Sequence, residues 1–534
     1  MPQDEKLWKT PELFVPIFIG LAIAFLNDFA LDGLPLLLND IRDSSNLTNE
    51  QVSLLRFLPI AGGLFFIFSA SALCQRFGAK AVLNLALGCF CLGGILLALN
   101  LNLIVFLISL VLLGVASATA RVSSYSMVFS SLSNAKRIAV FIAIYEAMVS
   151  AAFLTAPISY SLLLGHTDRG WLPIGTGIAS IFGAFLILSN LHISRPAEQN
   201  KQLQSTETTS LDSTSTNWTF ALCTGGLAAL TVLIVILDAF LPQLTPYGVG
   251  CDIALAIFVV KLFKRSHRIQ EDYDFIGNPI ILFSILGIAS TGLVDWYYFS
   301  QIFLTSRFNF ELWQTSAWLS PTNFAGLVGA SIFIVVVTRV GIAKTIAAAL
   351  MFCLFLPIVY VTTSIETPVV MLTIAATSFA MFDFFVTSGL MARATTLVKK
   401  EQIANLQAVS RSFNLITWSL GSAVTSGIVL ERYGATIKHQ LSAGMTDQSA
   451  LNKIAAMVSE GKRNLVLSQD WGTSANLIKR HLEATSHFRA EALISALHLV
   501  GILVFIMILI TSTLFVTSLL ASQKAKLAES YRTE

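Results

Sequence analysis

The chain has 534 residues, 55% of them hydrophobic and 12% charged, with a formal net charge of +3. So apolar a composition excludes a water-soluble globular domain. The small net charge supplies none of the basic surface that nucleic acid needs, so no nucleic-acid partner is expected.

Crossing a hydrocarbon core about 30 Å thick takes roughly 20 apolar residues in a helix. Fourteen stretches meet that need: 13–38, 52–73, 80–99, 103–124, 138–161, 171–191, 218–240, 244–263, 280–304, 314–337, 342–362, 368–391, 405–430 and 491–520. The links between them carry charge unevenly. With the N-terminus taken as cytoplasmic, inner segments hold twenty Lys and Arg, whereas the short outer links hold Arg42, Arg169 and Arg307. The positive-inside bias then predicts both termini cytoplasmic, and the long outer segment 431–489 departs from it as long loops do. The predicted fold is an all-α integral membrane protein of 14 transmembrane helices, multi-pass in the cytoplasmic (inner) membrane, with the lipid bilayer as its solvent. The first stretch is too long for a signal-peptide core, and Asp4, Glu5 and Glu12 spoil a basic leader. The six cysteines lie in or beside apolar stretches without metal-ligand spacing. They read as small buried apolar residues, and neither metal nor cofactor is expected.

An ionisable group at mid-bilayer costs about 2.5–3.5 kcal/mol on insertion scales, so each needs a partner, a wet cavity or a task. Asp28 and Asp32 in the first stretch are four apart, hence on one helical face. Neighbouring buried carboxylates cannot both ionise freely, which makes the pair a candidate proton carrier or cation attractant. The other reading leaves Asp32 solvated at the outer interface or paired with Arg56 of the second stretch. The second stretch ends in Ser71-Ala72-Leu73-Cys74-Gln75-Arg76-Phe77-Gly78-Ala79-Lys80. Gly78 permits a sharp turn, while Arg76 and Lys80 suit helix ends and inner-leaflet phosphates.

The fourth and fifth stretches contain Arg121 and Glu146. Glu146 is predicted either to handle protons or substrate, or to form a static ion pair with Arg121. Ala152-Phe153-Leu154-Thr155-Ala156-Pro157 places small residues four apart, for close backbone approach, before a helix-kinking proline. A Ser- and Thr-rich connector, 192–217, separates six stretches from the next eight. Stretches seven and eight form a tight pair around Leu241-Pro242-Gln243, and Asp252 within it lies away from the expected pathway.

The ninth stretch contains Asp295-Trp296-Tyr297-Tyr298-Phe299-Ser300-Gln301, and the twelfth Phe382-Asp383-Phe384-Phe385. A carboxylate beside aromatic faces can bind lipophilic cations by charge and cation–π attraction together. Equally, such rings can be packing or lipid-facing residues. Asp383 is also a proton-carrier candidate. Arg411, in the thirteenth stretch, is predicted to bridge to a neighbouring carboxylate. In the outer segment 431–489, Leu451, Ile454, Ala455 and Val458 have helical spacing, Gly461 is a stop, and Leu477, Ile478 and Leu482 suggest a second helix. A helical hairpin over the outer mouth, or a partly ordered loop, would follow.

The 71–80 link resembles the major facilitator signature G-x-L-x-D-R-x-G-R-K, matching at Arg76, Gly78 and Lys80, with Ser71 and Gln75 replacing the usual Gly and Asp. Thr338-Arg339-Val340-Gly341-Ile342-Ala343-Lys344 is a weaker echo. Ala152–Pro157 resembles the antiporter motif G-x-x-x-G-P with alanine for both glycines. Asp295–Gln301 resembles the aromatic Y-x-Q start of the ninth helix in fourteen-helix drug:proton antiporters, and Arg411-Ser412-Phe413 with Gly421 resembles their R-x-L-G-G-x-x-G run. That branch has an acid in its first helix at the position of Leu26, two residues before Asp28, and an Arg at the position of Leu110, eleven before Arg121.

The resemblance implies a major facilitator fold arranged 6+2+6. Its parts are an N-terminal bundle (1–191), a cytoplasmic linker (192–217), an inserted helix pair (218–263) and a C-terminal bundle (264–534, including the outer loop 431–489). It implies secondary active transport, by proton-coupled efflux of small amphipathic or cationic compounds, and no enzyme activity. Asp28, Asp32, Glu146 and Asp383 are the proton-coupling candidates. Asp295, Trp296, Tyr297, Tyr298, Gln301, Phe382 and Phe384 are the substrate-binding candidates. Arg56, Arg76, Gly78, Lys80, Arg121, Ala152, Ala156, Pro157 and Arg411 are the structural or gating candidates. A carrier for one metabolite or siderophore, and a non-transporting scaffold or sensor, remain open. In a cell with two membranes, the 431–489 loop would be the contact for a periplasmic adaptor. ATP-driven export is not expected, because no G-x-x-x-x-G-K-[ST] is present.

Overall fold

The computed structural model describes residues 11–34, 55–99, 102–130, 132, 135–166, 171–192, 211–240, 243, 245–297, 299–300, 303–304, 312–364, 366–442 and 485–533. The hairpin expected at 451–482, the adaptor surface, Tyr298 and Gln301 lie outside the described residues. All regular structure among the described residues is helical.

The first half contains α1 (Pro11–Asp32), α2 (Leu58–Phe77), α3 (Ala79–Leu99), α4 (Leu103–Ser130), α5 (Ala135–His166) and α6 (Trp171–His192). After α7 (Leu211–Phe240) and α8 (Thr245–Arg265) comes a one-and-a-half-turn helix, α9 (His267–Asp272). The second half contains α10 (Pro279–Ser290), α11 (Leu312–Val340), α12 (Ile342–Cys353), α13 (Phe355–Thr362), α14 (Val369–Thr395), α15 (Ile403–Ser442) and α16 (Thr485–Thr533). Among the described residues, ten helical spans are long and apolar enough to cross a membrane, α12 and α13 together making one of them. Exposed Ile, Leu, Phe and Val side chains line their outer faces, as helices solvated by lipid require.

Several helices outrun their apolar stretches. α7 takes in 211–217 of the expected connector, α15 continues to Ser442 and α16 begins at Thr485, inside the expected outer loop. Once a span is nucleated, each further helical residue costs little, so polar flanks join it.

Packing divides the helices into two groups. In the first, α4 lies against α1, α2 and α3, with α5 on α1 and α6 on α3; in the second, α10 meets α14, α15 and α16. The groups meet where α5 crosses α11 and α14, and where α15 crosses α2 and α4. α7 packs on α2 and α15, whereas α8 packs on α7 and buries none of its residues.

Two turns share one geometry. Gly78 between α2 and α3 has φ 82°, and Gly341 between α11 and α12 has φ 91°. Only glycine adopts this region without strain, and in both turns an Arg stands two residues before it. At this same basic end of the molecule, the 3₁₀ turn Asp274–Gly277 and α9 are tied to the start of α15. Gln402 donates to the Glu271 carbonyl (2.8 Å) and to Asp274 (2.7 Å), and Asn405 donates to the Asp272 carbonyl (2.9 Å). Hydrogen bonds from Gln402 and Lys399 hold the exposed Asp274 carboxyl below the usual carboxylate range.

Candidate functional site

In the first half, Arg121 of α4 is buried and reaches two carboxylates on different helices. It donates to Asp28 of α1 at 2.8 and 3.2 Å, and to Glu146 of α5 at 3.3 and 3.4 Å. The Asp28 side chain is only 6% exposed, whereas that of Glu146 is 28% exposed. The guanidinium also lies 5.8 Å from the Tyr145 ring centre, and Tyr145 hydrogen bonds Ser124 at 3.0 Å. Asp32, one turn from Asp28, keeps one carboxylate oxygen buried without a hydrogen-bond partner. Arg56 does not pair with it. Instead Arg56 binds Asp295 of the second half at 3.4 Å, with its guanidinium over Phe57 (4.6 Å) and Trp418 (5.7 Å).

Asp295 owes its position to a break. The sequence predicts one helix over 280–304, but α10 ends at Ser290 and residues 291–295 are non-helical. A helix ending inside a membrane leaves four carbonyls without partners, which is tolerated only where they are satisfied locally. Here each is satisfied. Ser290 Oγ serves Gly287, and Thr291 Oγ1 with Asn414 Nδ2 serves Ile288. Thr417 Oγ1 at 2.6 Å and the Gly292 N–H at 3.0 Å serve Ala289, and the Leu293 N–H serves Ser290. α15 supplies two of these donors, and can come so close because Gly421 lies against the Gly292 and Leu293 carbonyls. Gly421→Leu should therefore splay α15 from the break, costing about 1–3 kcal/mol or more as overpacking does. A thermal unfolding midpoint of the purified variant equal to that of the parent would refute this tight approach.

Between the two halves lies a cavity of about 390 Å³. Arg121 and Glu146 line it from the first half; Asp295, Trp296, Tyr297, Asp383, Phe384 and Arg411 line it from the second. Asn323 donates to Tyr297 at 3.2 Å and to the Phe153 carbonyl at 3.0 Å, crossing from α11 to α5. Neither Asp28 nor Asp32 lines the cavity.

Two expected roles change. Phe382 does not face the cavity but stacks on Phe352 of α12, ring centres 4.6 Å apart. One residue is about 100° of helix rotation, so Asp383 and Phe384 face inward while Phe382 packs outward. Arg411 does not bridge to a carboxylate: its hydrogen bond is to Asn414, three residues on, at 3.4 Å. Ala152 and Ala156 are fully buried, and α5 continues as helix through Pro157 to His166. Arg76 is exposed beside the Phe77 ring (5.2 Å), near Gly78 and Lys80, away from the cavity.

The sequence reading missed most of the α15 contribution. Gln407, Ser410, Arg411, Asn414 and Trp418 all line the cavity, spaced as one helical face. That polar stripe in an apolar span was its detectable signal. Two bonds between the halves were also missed: Tyr125 with Thr395 at 2.9 Å, and Ser71 donating to Asn405.

A family model described as Major Facilitator Superfamily matches residues 17–425. No curated protein matches the sequence. Among solved structures, the chain resembles the proton:xylose symporter XylE bound to 6-bromo-6-deoxy-D-glucose, at 12% identity and TM-score 0.52, over 92% of this chain and 94% of that one. It also resembles the human organic anion transporter MFSD10 (TETRAN), at 12% identity and TM-score 0.54, over 94% and 100%. A bacterial homolog of the human lysosomal transporter Spinster, inward-facing and unoccupied, shares 15% identity at TM-score 0.50, over 96% and 98%. At these identities the likeness is one of fold.

Proposed function

The chain belongs to the Major Facilitator Superfamily, a family of multi-pass membrane transporters and not of enzymes, and on that footing we propose that it is a proton-coupled secondary carrier exporting small amphipathic or cationic molecules. The observation that carries this reading is Glu146, which shares Arg121 with Asp28 and also lines the cavity between the halves. A carboxylate so placed can be neutralised in two ways: by a proton, or by a cationic substrate in the cavity. The two occupancies exclude each other, which is the logic of exchange. Asp28, more deeply buried, holds Arg121 in place; Asp32 gives the cluster a third acid, whose partnerless buried oxygen a proton would relieve. Asp383 is the corresponding acid of the second half.

The layout we assign is fourteen spans as 6+2+6 with both termini cytoplasmic. α7 and α8 form the inserted pair, an assignment supported by the attachment of α8 to α7 alone among its major neighbours and by its lack of buried residues. The two halves would rock about the cavity in alternating access.

Inverted membrane vesicles test the reading. Imposing an acid interior should drive accumulation of a lipophilic cation such as tetraphenylphosphonium in vesicles containing this chain, and dissipating the gradient should abolish it. Accumulation indifferent to the gradient would exclude proton coupling.

A further inference from the structure

Two charges in the cavity have no counter-charge in contact. Arg121 is held by Asp28 and Glu146, and Arg56 by Asp295. Arg411, by contrast, has no carboxylate within 4 Å among the described residues, and hydrogen bonds only the neutral Asn414. Asp383 makes no side-chain hydrogen bond or ion pair among the described residues. Both line the cavity, from α14 and α15 of the second half. A membrane-embedded charge persists where water or a ligand solvates it. A free guanidinium is a fork for carboxylate or phosphate, and a free carboxylate takes an ammonium. Trp296, Tyr297, Phe384 and Trp418 supply aromatic wall, and about 390 Å³ is room for a compact organic molecule.

We propose that the cavity selects a dipolar substrate, an aromatic or apolar body carrying both an anionic group for Arg411 and an amine for Asp383. This rests on the transport reading above and narrows its substrate from a cation to a zwitterion. A lone cation would leave Arg411 unmatched, and a lone anion would leave Asp383 unmatched. The rival account makes Arg411 a distant counter-charge to the acids of the first half. It predicts no preference for an anionic group.

The test is equilibrium binding to the full chain in lipid nanodiscs, using two matched sets of probes. One set is 4-(aminomethyl)phenylacetate with its singly charged analogues 4-methylbenzylamine and 4-methylphenylacetate. The other is phenylalanine with phenethylamine and 3-phenylpropanoate, which brings the charges closer together. In one set at least, the zwitterion should bind tenfold or more tighter than both analogues. In Arg411→Met, the zwitterion and the amine should then bind alike, while Arg411→Lys restores the preference. In Asp383→Asn, the zwitterion and the acid should bind alike. These signatures require retained binding of one probe, so misfolding cannot mimic them. Equal affinities within both sets, or no binding by any probe, would overturn the proposal. Proton release is measured in the same titrations. Tight zwitterion binding without it would leave this inference standing and remove the proton coupling.

Discussion

Replacing Arg121 by methionine is expected to abolish transport and to destabilise the protein by about 3–5 kcal/mol, the usual consequence of removing one partner of a buried ion pair. Among the described residues the guanidinium alone bonds both Asp28 and Glu146, and Asp28 is almost fully enclosed. Without it, α1, α4 and α5 lose their shared contact and a buried carboxylate is left uncompensated. The double variant Arg121→Met with Asp28→Asn removes the orphaned charge as well. It should regain most of the stability, because neutral replacements of buried pairs are often tolerated, but it should not regain transport. Thermal unfolding and vesicle uptake, read side by side on both variants, make the check. A single variant as stable as the parent would show that the pair is not what holds these helices together.

Glu146→Gln is expected to uncouple transport from the pH gradient. One proton exchanged per substrate lets one pH unit sustain about a tenfold concentration ratio, equivalent to about 1.4 kcal/mol. The amide keeps the shape and one acceptor for Arg121 but does not titrate, so the ratio should fall to unity while exchange of labelled for unlabelled substrate continues. Asp28→Asn should be equally uncoupled and also less stable, since it strips Arg121 of its closest partner. Full gradient-driven accumulation in both variants would remove these acids from the coupling.

How much of this was legible in the residues follows from the solvent. A bilayer makes every embedded charge conspicuous, so Asp28, Arg121, Glu146, Asp295, Asp383 and Arg411 stood out individually. What they bind depends on which helices cross, and that is not written locally: Arg56 could be read toward Asp32, yet it meets Asp295, 239 residues away. Face also escapes a reading by segments. Phe382 and Phe384 flank the same acid, but rotation about the helix sends one to α12 and the other to the cavity. The break at 291–295 was masked because the apolar run continues through it. Donors on α15, remote in sequence, join the local ones in satisfying the freed carbonyls.

The two bonds across the basic end, Ser71 with Asn405 and Tyr125 with Thr395, set a bias on the populations of the transport cycle. Each such bond is worth about 0.5–1.5 kcal/mol net of the water that replaces it. Together, at about 1–3 kcal/mol, they would favour the closed arrangement at that end by roughly 5- to 150-fold. A ligand equally attracted to both arrangements cannot reverse that ratio, however tightly it binds. Asn405 is anchored to Asp272 in its own half, so re-closure would find its acceptor already in position. These two bonds would therefore pull the empty carrier toward this end shut, against the Arg56–Asp295 and Asn323–Phe153 bonds that join the halves elsewhere. Ligand affinity for the two arrangements must differ by enough to reverse the balance.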